Sequence, residues 1–87
     1  MGDLLKLAER CEQATGRDNS TDVLLEVALF QPCDIWKRCR ANAAGTKVIY
    51  TDALGDNTTC WARDWTADRP SAAAALRARA AQENPHA

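Results

Sequence analysis

Histidine is almost absent from this 87-residue chain: the only one is His86, one residue from the C-terminus, where it reads as part of a solvated tail. Acid–base catalysis near neutral pH draws on histidine more than on any other side chain. The four cysteines, Cys11, Cys33, Cys39 and Cys60, include no C-x2-C pair, which excludes the usual structural zinc modules. Without a histidine partner they read as reduced, buried thiols; a Cys33–Cys39 disulfide is the minor alternative, confined to an oxidising compartment. No glycine-rich phosphate loop is present. No stretch approaches the ~20 apolar residues of a membrane span, and MGDLLKLAER lacks the basic and apolar regions of a leader peptide. A large charge of either sign is missing too, since the net charge is −1. These absences predict a cytosolic protein that is not an enzyme, takes no cofactor or metal and does not enter a membrane.

What is present reads as one domain over residues 1–87, with 83–87 a frayed tail. The hydrophobic fraction of 46% and charged fraction of 26% place the chain among ordinary globular proteins rather than disordered ones. The stretch from Lys47 to Trp65 carries the strongest local signal. Val48, Ile49, Tyr50 and Thr51 suit a pleated surface. Leu54-Gly55-Asp56-Asn57 suits a hairpin turn, and Thr58 to Trp65 returns as a strand. On that strand Trp61, Arg63 and Trp65 share a face. Each indole can bury about 200 Å², so the two rings are expected to seed the core; a stacking platform for an aromatic ligand is the alternative.

Asp3 is placed to cap a first helix from Leu4 to Ala14, ended by Thr15-Gly16. Asn19 or Ser20 is placed to cap a second. Val23 to Phe30 is apolar except for Glu26 and also fits a buried strand, but the cap residues and Pro32 favour a helix ending near Gln31. So apolar a helix needs several neighbours, which places it centrally or at a self-association interface, and a homodimer through Val23, Leu24, Val27 and Phe30 is the expectation. Cys33 to Ala44 fits either a helical stripe or a strand. The strand, Ile35 to Ala41, is favoured, because Ala44-Gly45 then turns the chain into Lys47. Asp68 and Pro70 open a last helix of alanine with Leu76, Arg77 and Arg79. The expected fold is α+β: two N-terminal helices, a three-stranded antiparallel meander, and a C-terminal helix packed on the sheet.

Both ends resemble a known group. Leu7-Ala8-Glu9-Arg10-Cys11-Glu12, Ala14-Thr15-Gly16, Asp64-Trp65-Thr66-Ala67 and Ala75-Leu76-Arg77-Ala78-Arg79-Ala80 resemble segments of the phage helix–sheet–helix (ABA) sandwich family, small proteins of tailed phages and prophages. The resemblance covers about half the chain, and Arg17 stands where the family has proline. It implies a helix–sheet–helix layering and a phage accessory product acting in the host cytoplasm. It transfers no functional residue.

Binding is then the expected activity. Residues 1–30 carry six acids against three bases, whereas 31–51 carry Lys37, Arg38, Arg40 and Lys47 against Asp34 alone. Trp36, Lys37, Arg38 and Arg40, with Arg63, Trp61 and Trp65, form the candidate surface, because arginine beside an aromatic ring holds anions and stacks on flat groups. Solvated sheet charges paired with Asp52, Asp64 or the acidic helices are the competing reading. A host protein is the first expectation for the partner, in the manner of a host-defence inhibitor. A sequestered nucleotide is the second, and weak non-specific nucleic-acid binding the third.

Overall fold

The structure is a computed structural model that describes residues 2–83. Its order is α1 (Gly2–Gln13), α2 (Asn19–Leu29), β1 (Trp36–Ala41), β2 (Val48–Asp52), β3 (Asn57–Cys60), a 3₁₀ turn (Trp65–Asp68) and α3 (Arg69–Glu83). The fold is α+β as expected, with the strands antiparallel in the order β1-β2-β3. The segment that reads as strand or helix is a strand, and 23–30 belongs to a helix. His86 lies outside the described residues, as does the expected tail except for Glu83, which closes α3.

Local chemistry sets the ends of these elements. Gly16, at φ 81°, turns the chain after α1. Asp18, rather than Asn19 or Ser20, caps α2: its Oδ1 accepts from the Ser20 amide at 3.1 Å, and its carboxylate also takes the Ser20 and Thr21 hydroxyls. These bonds hold the Asp18 carboxyl below its ordinary value. The Asn42 side chain closes the first hairpin by accepting from the amides of Thr46 and Lys47. Asp52 closes the second by accepting from those of Leu54 and Asp56. As expected, Asp68 caps α3, through the Ser71 amide.

The packing differs from the expectation in two respects, the place of α3 and the place of the indoles. α3 does not lie on the sheet; it lies along α1, with smaller contacts to α2 and the 3₁₀ turn. Alanine explains the choice: Ala8 and Cys11 on α1 and Ala72 and Ala73 on α3 are all buried, and such small side chains let two helices approach closely. Leu7, Leu25 and Leu76 complete this core. Arg69 is buried at the same junction and donates to the carbonyls of Gly16 and Cys11, where the C-terminal end of the α1 dipole welcomes a cation. Arg77 and Glu12 bridge the two helices outside, and that pairing lowers the Glu12 carboxyl.

The helix that packs on the sheet is α2, against β1 and β2. Val23 on α2 and Val48 on β2, both fully buried, mark that layer. The two indoles do not seed the core. Trp65 sits at the margin of the helical core and Trp61 is 65% exposed. The arrangement therefore runs sheet, α2, then α1 with α3. Among the described residues no helix lies against the sheet's other face.

Candidate functional site

Because strands alternate their side chains, the register assigns every residue to one of two faces. Tyr50 pairs with Cys39 and Thr58, and Val48 with Cys60; these point toward α2. Arg40–Ile49–Thr59 and Arg38–Thr51–Asn57 form two rows on the opposite face. The next row is Lys47 beside Trp61, and the Lys47 ammonium stands 4.7 Å from the indole centroid.

This outer face is basic. Arg38, Arg40 and Lys47 share it, no carboxylate lies in its rows, and none of the three belongs to an ion pair among the described residues. The acids expected to neutralise them are engaged elsewhere. Asp52 holds its turn, and Asp64 lies 3.9 Å from Arg17. Exposed Trp61 adds a large apolar plate to the edge of the cations. Lys37 is exposed at the irregularity between Trp36 and Arg38, outside the regular pairing.

The helix-facing side has a different chemistry. Glu26 on α2 is 7% exposed and accepts three hydrogen bonds. Its Oε2 takes the Tyr50 hydroxyl at 2.5 Å; Oε1 takes the Trp65 indole N–H at 2.9 Å and the Arg63 amide at 3.2 Å. Burial pushes the carboxyl up, but the Tyr50, Trp65 and Arg63 donors and the Arg63 charge outweigh it, so Glu26 lies below its ordinary value. Burial, then the bond to Glu26, pushes the Tyr50 phenol well up. Burial and the Glu26 charge raise the Cys39 thiol, which makes it a poor nucleophile.

Asp22 and Glu26, one turn apart on α2, hold the segment that leads from the sheet to α3 through their carboxylates, and the cap residue Asp18 holds it through its backbone. Asp22 accepts from the Thr66 amide at 2.7 Å, and the Asp18 amide donates to the Thr66 hydroxyl at 2.8 Å. Sequence reading missed this role. The i, i+4 spacing of Asp22 and Glu26 was its only visible sign.

Beside Glu26 the Phe30, Trp36, Tyr50 and Trp65 rings, with Leu29, Gln31, Cys33 and Arg63, line a cleft of about 450 Å³. The expected binding set is therefore divided. Arg38, Arg40 and Trp61 belong to the outer face, whereas Trp36, Arg63 and Trp65 belong to the cleft. Trp61 and Trp65 share no strand face, because β3 ends at Cys60. Nor does Arg63 join Arg38 and Arg40; its guanidinium lies 5.9 Å from the Trp65 ring.

The self-association set is largely covered within the chain. Val23 is buried, Val27 and Phe30 are half-buried, and Leu24 is exposed. All four cysteines are free thiols, with Cys11 buried, Cys39 and Cys60 half-buried, and Cys33 exposed, against the expectation of burial. Among the described residues there is no group of three or more histidine, cysteine or acidic side chains placed to hold a metal ion, and no helix is long and apolar enough to cross a membrane. Compared with known proteins, the chain matches no family model, no curated protein and no solved structure.

Proposed function

We propose that the chain is a small phage accessory protein that works stoichiometrically in the host cytoplasm, without catalysis, by docking the outer face of its sheet onto an acidic surface of a host protein. A component of a host-defence system is the partner class that the family resemblance suggests. One observation carries the reading: among the described residues no helix lies over this sheet face, and Arg38, Arg40 and Lys47 stand there without ion pairs beside the exposed plate of Trp61. Arginine and tryptophan are the residues that most often dominate binding energy at protein interfaces. Unpaired cations on a rigid sheet also steer an acidic partner and fix its orientation.

A protein suits this face better than nucleic acid does. The acids that give the chain its net charge of −1 lie mostly outside the face and repel a long polyanion. Three cations also give too few phosphate contacts for strong binding at physiological salt. A homodimer is not part of the proposal, because α2 finds its neighbours in α1, α3 and the sheet.

The test is paired affinity capture from host lysate, comparing the wild-type chain with a variant carrying Arg38→Glu, Arg40→Glu and Trp61→Ala. One host protein at stoichiometric yield, lost with the variant while its circular dichroism is unchanged, is the expected result. Equal capture by both chains would refute the outer face as the docking surface. Capture of nucleic acid that falls steeply with salt would replace a protein partner with a polyanion.

A further inference from the structure

The cleft on the helix-facing side of the sheet is separate from the outer face. Its volume of about 450 Å³ falls in the range that takes small organic ligands. Phe30 and Trp36 flank Tyr50, with ring centroids 5.9 and 5.4 Å from it and tilts of 57° and 41°. These three rings and Trp65 are only half-buried, so ring surface remains for a ligand to cover.

Two charged groups define what else the ligand must carry. Arg63 is exposed, lies over Trp65 and has no ion pair among the described residues, so it offers a guanidinium to an anion. Glu26 has one acceptor position left. Among the described residues its Oε2 takes the Tyr50 hydroxyl alone, whereas a carboxylate oxygen accepts two hydrogen bonds. That position suits a ring N–H or an amino group. An organic cation fits less well, because the Arg63 guanidinium that lines the cleft repels it.

A flat ring with an N–H donor at one end and an anion at the other describes a nucleotide. We propose that this cleft binds a purine nucleoside monophosphate, its base against the Trp36–Tyr50 wall and its phosphate on Arg63. The inference does not rest on the outer face having a protein partner.

The test follows tryptophan fluorescence in a Trp61→Phe background, where only Trp36 and Trp65 report. GMP, AMP, guanosine and inorganic phosphate are titrated separately. Saturable quenching by GMP or AMP is expected, with guanosine about tenfold weaker and phosphate alone silent. Arg63→Ala keeps the backbone amide that Glu26 uses, so the fold should survive, as circular dichroism will check, and binding should weaken about tenfold. Alkylation of Cys33, the exposed thiol on the cleft, should slow when nucleotide is bound. No quenching by either nucleotide at about millimolar concentration, the weak end of specific binding, would overturn the proposal. So would unchanged affinity in Arg63→Ala, or a loss caused by Arg38→Ala, which would place the nucleotide on the other face.

Discussion

The two faces of the small sheet are built from adjacent residues of the same strands and meet opposite fates. On the side facing α2, one buried carboxylate collects a phenol, an indole and a backbone amide, and four aromatic rings gather around it. On the other side, three cations and an exposed indole stand with no carboxylate among them in the described residues. The first face spends its polar groups on one another and so specifies the fold. The second leaves its cations without ion pairs among the described residues, which contributes little to stability and keeps them available for a partner.

The sharpest way to break this contrast is to remove Glu26. Glu26→Ala strands three donors and should destabilise the chain by about 3 kcal/mol, at the low end per donor because each is only partly buried. Urea denaturation measures it, and a loss near zero would mean that the network is not structural. Trp65→Ala should come next, at about 2 kcal/mol for a half-buried ring. By the same measurement Trp61→Ala should stay within about 0.5 kcal/mol, as should Arg38→Ala and Arg40→Ala.

Titration sharpens the comparison further. The Glu26 carboxyl lies below its ordinary value of 4.5 in the folded chain. Its contribution to stability is therefore complete above that value and is lost as pH falls through the lower, folded one. Asp18 and Glu12 are lowered as well and act in the same acidic window. The difference between wild type and Glu26→Gln, measured by denaturation from neutral pH downward, isolates the Glu26 part and should shrink with acid. Tyr50 is the only tyrosine, so ultraviolet titration reads it directly. Its midpoint should lie above the ordinary phenol value of 10.0 and fall toward it in Glu26→Gln. The smallest effect concerns access: a neutral quencher should reach Trp61 more readily than Trp36 or Trp65, which comparison of single-tryptophan variants will show.

Much of the architecture was legible because it is local. The Val48–Thr51 run, the glycine turns at 45 and 55 and the Asp68 cap announce their elements with chemistry confined to a few neighbours. The length of β3 was not legible. Alternation continues through Thr59, Trp61, Arg63 and Trp65, but a strand lasts only as long as its partner, and β2 begins at Val48, opposite Cys60. Past that point Arg63 and Trp65 turn toward α2, so residues that read as one surface separate onto two. The partner of α3 was hidden for a related reason. Alanine favours a helix strongly but names no neighbour, and only the small residues of α1 determine that α3 lies there.

The identity of the elements, their order and the basic bias of the middle segment were therefore written in the sequence, because each depends on short-range propensity and composition. Tertiary structure alone decided which arginines and tryptophans stand together, that Glu26 is a structural centre rather than a break in an apolar helix, and that no helix among the described residues covers one face of the sheet. Those outcomes depend on which distant groups meet in space, and burial combined with hydrogen-bond geometry settles that only when the whole chain packs.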